Sequence, residues 1–408
     1  MKLKSKIGWR FKGNEIKYIK KVLKSDFSAG SDASMNEKFE KKFAKIHKQN
    51  FAIASNSGTS TLHQALLAIG VGHGHEVIIP ALTVAMCGFA VWQCGAVPVY
   101  ADVDHETFLI DPKDIEKKIT KKTKAIMVVH TYGLMCDMDS VIKVANKHKI
   151  KVLEDCAQCF LGHDDKKRIS GTVGSIGSWS LESTKHISSG EGGILTTNSA
   201  KLAKIMRKYG TLGFKNITAQ NGKVRINREK FQNPNWERHD QFGYNYRLSE
   251  ISSAVALAQT EKITFFVKKR VEAGNAFLNF IKKSKTKILK TQKIKRNYKH
   301  VFFTFACIFN GDNKNISWQS FRKKFIEYGG DGIYAAWKTV NNEPCFANVR
   351  KKGLFSGNMK ISNSYGWGET PIAISLQKKM MQFTTNQKNK KEINKQILAL
   401  KKTLKFYE

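Results

Sequence analysis

Five short stretches of the chain carry residue types that could act together. Lys185 stands in SWSLESTKHISSGEGG, after a short apolar strand and just before Gly190, Gly192 and Gly193. A lysine amine attacks a carbonyl only when deprotonated, and desolvation or a nearby cation favours that state. One lysine among so many says little by itself, but a small-residue loop lets backbone approach a bound group closely. Asp155 closes the apolar strand IKVLED (150–155). A strand-end acid in an open α/β sheet points into the crevice where ligands bind; it could equally cap a helix or face solvent. Glu154 faces the other way along the strand and is the weaker candidate. Ser57, Gly58 and Thr59 fall where a strand meets a helix, a place for an anion or for an ordinary N-cap, and Ser180 could add a hydroxyl. The Gly190–Gly193 loop lacks the GxxxxGK[ST] form of a P-loop. Gln158 follows Asp155 by three residues and would share its site or lie on the surface. In GYNYRLSE (243–250), Asn245 and Arg247 combine an amide and a guanidinium suited to an anionic oxygen, or simply shape a loop.

These residues need elements to hold them. Helical spacing predicts helices over 9–27 (Ile16, Ile19, Val22) and 34–47 (Phe39, Phe43, Ile46). The run 51–70 reads as strand, Ser/Gly turn and apolar helix. Strands at 75–82, 97–101, 125–129 and 150–155 alternate with helices at 83–95 and 139–148. AIMVV (125–129) is apolar throughout, as a strand covered on both faces should be. SIGSWS and GGILTT read as short strands, 199–209 begins a helix, 213–240 is polar and irregular, and 249–295 is a long helical region. The alternation predicts an α/β domain with a largely parallel sheet, then a smaller α/β segment from about 298.

Composition narrows the function classes. The 408 residues hold 70 Lys plus Arg against 33 Asp plus Glu, a formal net charge of +37. That excess raises nucleic-acid binding, but a bound strand needs a positive face with stacking aromatics. The lysines are spread along the chain without such a module, so no nucleic-acid partner is expected. The seven cysteines are scattered. Cys156 and Cys159 have metal-like spacing but no matching second pair, so no metal is expected and reduced thiols are. No apolar run reaches membrane-span length and residues 1–12 lack an apolar leader core, so a cytoplasmic protein without membrane insertion is expected.

Taken in order, these strings resemble the DegT/DnrJ/EryC1/StrS family, sugar aminotransferases of the aspartate-aminotransferase superfamily. The resemblance runs from about Glu15 to the C-terminus. It includes GHEVIIPALT (74–83), GAVPVYADVD (95–104), VVHTYG (128–133), EDCAQ (154–158), the lysine loop and GYNYRLSEISSAVALAQTEKI (243–263). It implies the type I fold of pyridoxal-phosphate enzymes: a large cofactor domain over 1–265 with a mostly parallel seven-stranded sheet, and a smaller α/β domain over 266–408. Lys185 matches the Schiff-base lysine, and Asp155 the acid that pairs with the pyridine nitrogen. Gln158 matches a residue near the ring oxygen, and Ser57, Gly58, Thr59 and Ser180 lie at or beside phosphate-cradling positions. Asn245 and Arg247 match residues given across the interface of a homodimer with shared sites. A dehydratase branch carries histidine in place of the lysine; here Lys185 is present and His186 is its neighbour, which favours transamination.

The resemblance further implies an amino-acid donor, glutamate, and a keto-sugar acceptor in surface polysaccharide or lipopolysaccharide biosynthesis. A nucleotide-linked keto-deoxyhexose is the first expectation and a Kdo-type eight-carbon keto sugar the second; a non-catalytic cofactor-binding regulator is the other class. Two departures stand out. Val84 occupies a position where many relatives stack an aromatic residue on the cofactor ring, leaving Val84, Phe89 or Trp92 to supply that contact. Residues 327–344 differ from the substrate-facing loop of relatives, with Trp337 near its usual histidine or tyrosine.

Overall fold

A computed structural model describes residues 8–25, 27, 34–220, 229, 232–346 and 370–408. Seven strands form the main sheet: β1 (Phe51–Ser55), β2 (Glu76–Pro80), β3 (Val97–Ala101), β4 (Thr123–Val129), β5 (Lys151–Asp155), β6 (Ile176–Ser180) and β7 (Gly193–Thr197). Their order is β1-β7-β6-β5-β4-β2-β3. β7 runs antiparallel to both neighbours, and the other pairings are parallel. The expected architecture is therefore observed, including the second, smaller sheet.

The side-chain period of two explains the apolar runs. Along β2, Val77 and Ile79 enter one core while Ile78 enters the core on the opposite face. Along β4, Met127 joins the first and Ile126 and Val128 the second. Both faces are covered, so the strands cannot alternate with polar residues. The covering helices include α1 (Glu15–Lys24), α2 (Met35–His47), α3 (Gly58–Ile69), α4 (Met86–Gln93), α5 (Pro112–Lys118), α6 (Met138–Lys147), α7 (Ala200–Gly210), α8 (Glu250–Glu261) and α9 (Ile263–Ser284). A third core, around Phe39, Phe43 and Trp179, packs α2 and α9 on β6.

The smaller sheet has strands β8 (Leu289–Thr291), β9 (Thr304–Phe309), β10 (Ile333–Ala335) and β11 (Met380–Thr384) in the order β10-β11-β9-β8, all antiparallel. Helices α10 (Trp318–Glu327) and α12 (Lys390–Tyr407) contribute Phe321, Phe325, Leu400 and Leu404 to its core, and α11 (Pro371–Lys379) lies between β10 and β11 in the chain. Helix α9 serves both units: Phe266 and Val267 pack beside Trp179, whereas Phe277 and Ile281 belong to the small-sheet core.

Several expected elements are trimmed. The helix read over 9–27 is a 3-10 turn at Gly8–Arg10 followed by α1, with Gly13 and Asn14 between them. The one read over 83–95 spans only Met86–Gln93. The long region 249–295 divides at Lys262 and ends at Ser284, where Lys285 takes a left-handed φ of 54°. Beyond it, Leu289–Thr291 pair with Phe309–Cys307 as β8, because long-range pairing outweighs local helical preference. The segment read as a loop over 327–344 contains β10 and a 3-10 turn at Val340–Asn342. Within 213–240, residues 221–228, 230 and 231 lie outside the described residues. No described helix is long and apolar enough to cross a membrane.

Candidate active site

Asp155 is placed by its strand. β5 pairs Asp155 with Val129 on one side and Ser178 on the other, at the C-terminal end of the parallel strands. Its carboxylate accepts the Ala157 amide at 2.9 Å and the Cys87 thiol at 3.4 Å. Burial raises its pKa, and the Ala157 amide, the charge of Lys185 and the Cys87 thiol pull the other way. Glu154, one residue earlier, does different work. It meets His130 Nε2 at 2.9 Å and accepts the amides of Gly171, Val173 and Gly174. The His130–Glu154–Cys156 cluster has atoms close enough to hold a metal, but both carboxylate oxygens and both ring nitrogens already have protein partners. Cys156 and Cys159 are free, buried thiols.

Lys185 follows β6 in a loop closed by Lys185 N to Glu182 O at 3.0 Å. Its Nζ lies 4.7 Å from the centre of the Phe303 ring. Desolvation lowers the amine's pKa; the charges of Glu182 and Asp155 oppose that shift, and Arg270 adds to it. His186 points the opposite way, its Nε2 bonded to Val301 O at 3.1 Å in the core. Burial holds its imidazole well below the usual pKa, so it is a neutral packing residue.

The strand-to-helix turn lies beside this loop. Ser57 caps α3 reciprocally with Ser60. A Cβ on Gly58 would fall 2.8 Å from Ser180 Cβ, and one on Gly193 would fall 2.5 Å from Ser57 O. Glycine at both positions lets the start of α3, the end of β6 and the start of β7 close on one another. Thr59 is half-buried in the first turn of α3. Gln158 sits across β5 from this wall, its Oε1 accepting the Tyr132 amide at 2.6 Å.

Asn245 and Arg247 do not join the buried group. They lie on a strap tied to the same turn, with Asn56 N and Ser55 Oγ donating to Tyr246 O at 2.8 and 3.0 Å. Arg247 Nε donates to Asn245 Oδ1 at 3.0 Å, and both residues are exposed on the single chain.

A profile of the DegT/DnrJ/EryC1/StrS aminotransferase family matches residues 10–365. The chain belongs to that family. It is accordingly a pyridoxal-phosphate-dependent sugar aminotransferase. It is 34% identical to the GDP-perosamine synthase of Escherichia coli O157:H7 over 87% of this chain and 88% of that protein. It is 33% identical to the spore coat polysaccharide biosynthesis protein SpsC of Bacillus subtilis over 64% of this chain and 65% of that one. Among solved structures, the aminotransferase from Psychrobacter cryohalolentis superposes with a TM-score of 0.84 at 26% identity, covering 96% of this chain and 97% of the other.

For a member of this family, the surroundings of Val84 are notable. Phe89 stacks on Phe346 with ring centres 5.4 Å apart, and Trp92 meets the same ring at 3.9 Å. Both aromatic candidates are thus engaged by Phe346, and Val84 is half-buried against the same core. Trp337 is 57% exposed just past β10. Sequence reasoning missed Cys87, Phe303, Arg10 and Arg270. Cys87 lay in an apolar helix with nothing to mark it, and the others reach the lysine loop only through tertiary packing.

Proposed function

We propose that this aminotransferase moves an amino group from L-glutamate to a nucleotide-linked keto-deoxyhexose, for a surface polysaccharide or lipopolysaccharide. The observation that carries this reading is the similarity to GDP-perosamine synthase over 87% of this chain, joined to a site in which the lysine, the strand-end acid and the small-residue turn are all present.

The residues fit pyridoxal phosphate. The turn at Gly58 is too close to Ser180 for any Cβ, and the first amides of α3 would be offered there to a phosphate. The buried Asp155 carboxylate has one amide and one thiol as its hydrogen-bond donors, and forms no ion pair among the described residues. Asp155 would hold the protonated ring nitrogen, Lys185 the carbonyl carbon, and Ser57, Gly58, Thr59 and Ser180 the phosphate, with Gln158 near the ring oxygen. Bound there, the group supplies an electron sink for a carbanion. Asp155 keeps a negative charge against the ring nitrogen in a low-dielectric setting, where it counts for more than in water. With the group bound, Lys185 Nζ would carry a proton from the donor α-carbon to the cofactor's carbonyl-derived carbon and, in the second half, from that carbon to the acceptor carbon. Its depressed pKa suits an amine that must accept a proton near neutral pH. Asn245 and Arg247, exposed on one chain, would complete the phosphate site of a second copy in a homodimer.

A panel of keto sugars incubated with glutamate and cofactor, read by amino-sugar formation, tests the acceptor. Turnover of a nucleotide-linked keto-deoxyhexose is expected. Turnover confined to an eight-carbon keto-sugar acid would move the acceptor to the Kdo type, and no turnover of any keto sugar would sink the reading.

A further inference from the structure

Arg10 and Arg270 are 3% and 7% exposed. Arg207, also buried, meets Glu40 at 2.7 Å; Arg10 and Arg270 form no ion pair among the described residues. They bind carbonyls instead. Arg10 donates to the carbonyls of Ser183 at 3.4 Å, Lys185 at 2.7 Å and His186 at 2.8 Å. Arg270 donates to the Thr184 carbonyl at 2.6 Å, and also to Phe303 O at 2.6 Å and Thr385 Oγ1 at 3.3 Å. Four consecutive carbonyls of the lysine loop are each taken by one of two guanidiniums. One comes from the turn before α1 and the other from α9, far apart in the chain.

Hydrogen bonding alone does not account for this choice. Neutral amide side chains could satisfy carbonyls without burying charge, and a buried charge is costly unless neutralised. The cost shows in both groups: desolvation brings Arg10 down to about 10 against the opposing charge of Glu182, and Arg270 down to about 9 with Arg10's charge adding to the shift. Arg270 also lies 5.4 Å from the centre of the Phe303 ring, the ring that Lys185 Nζ overlies.

We propose that Arg10 and Arg270 are positioning residues for Lys185. Both fix its loop through four carbonyls, and Arg270, which shares the Phe303 ring with the lysine, adds a positive charge that works against the ammonium. The proposal rests on the reading of Lys185 as the reacting amine. The charged and titratable groups acting on that amine are Glu182 on its own loop, Asp155 on β5, Cys87 on α4 and Arg270 on α9. The two acids favour the ammonium and Arg270 opposes them. Without Arg270's charge only desolvation opposes the acids, and the amine holds its proton to higher pH.

The test uses the full-length apoprotein mixed with pyridoxal phosphate, following the rate of visible-band growth against pH. Cofactor capture requires the free amine, so the midpoint of this profile reports Lys185. Arg270→Gln should move the midpoint up by about one pH unit, a roughly tenfold slower capture near neutrality. Arg270→Lys, which keeps the charge, should return the midpoint to the parental value even if capture is slower throughout. Arg10→Gln, which removes contacts to the loop but no charge acting on the amine, should slow capture at every pH with the midpoint unmoved, and tests the positioning part alone if the Arg270 variants do not fold. A parental midpoint in folded Arg270→Gln, or parental capture rates at every pH in Arg10→Gln, would overturn the proposal. Failure of the underlying reading looks different: the parent would form no band, or Lys185→Ala would form the same one.

Discussion

The inner and outer parts of this site are held in contrasting ways. Asp155, Cys87 and the Lys185 loop are fixed by sheet register, by α4 and by buried guanidiniums within one chain. Asn245, Arg247 and Trp337 lie on exposed strap and loop, with few side-chain partners. The inner groups have their geometry set by folding, before any ligand arrives, which is what reaction chemistry demands. The outer groups are exposed on the single chain, and on the proposed reading they would meet another surface, a partner copy or a sugar. Substitutions should therefore split into those that abolish chemistry and those that weaken binding.

The largest effect should come from Lys185→Ala. Amino transfer should fall by about 1,000-fold or more, since both the covalent anchor and the proton carrier are lost. Borohydride reduction of the parent with its cofactor should fix label on the peptide containing Lys185, and the variant should fix none. Parental turnover by the variant would remove this residue from the inner group altogether.

Asp155 and Glu154 sharpen the contrast within a single strand. Asp155→Asn should reduce turnover by about 100-fold while leaving the apoprotein folded. Its stability should even rise at neutral pH. Burial raises the folded pKa of Asp155, so the stability this group gives is full below its unfolded value and is lost as pH climbs through the folded value. Asparagine carries no such penalty, so the gain in Tm should shrink on acidification. Glu154→Ala should do the opposite: it strands His130 and three amides, costs about 3 kcal/mol of stability, and shows first in the unfolding curve. If both variants lowered Tm equally, the division between a chemical and a structural carboxylate would fail.

The fold was legible from sequence because its signals are local, whereas the inner residues were singled out by the ordered family resemblance and not by their own surroundings in sequence. Apolar runs at β4 and β5 report a sheet covered on both faces, and the small residues at Ser57–Gly58 and Gly190–Gly193 report close approach. The order of these strings along the chain then tied Lys185 to Asp155. Cys87, Phe303, Arg10 and Arg270 were not legible, because nothing in an apolar helix or a basic N-terminal stretch says which distant backbone it will meet. β8 was hidden for the same reason: Leu289–Thr291 is a strand only because Phe309 is there to pair with it.

At the outer edge, Arg247→Ala should weaken cofactor binding by about tenfold, the scale of one charge-assisted contact to phosphate. The unfolding free energy of the dilute apoprotein should stay within about 0.5 kcal/mol of the parent's, as for any exposed substitution. Mixing Arg247→Ala with Lys185→Ala adds a test of sharing. If each site draws Arg247 from the other chain, mixed dimers hold one site with both defects and one with neither, and activity should reappear. Activity that does not recover would return Arg247 to its own chain's site.

The smallest effect is expected at Trp337. Its ring is 57% exposed beyond β10 and makes no ring contact or side-chain hydrogen bond among the described residues. Trp337→Ala should leave stability unchanged and the glutamate half-reaction untouched, because both depend on the buried group. KM for the sugar acceptor should rise a few-fold, consistent with loss of one stacking surface at about 1 kcal/mol. A fall in kcat for the glutamate half-reaction would mean that this outer residue reaches the reacting atoms, and the separation between the two parts of the site would no longer hold.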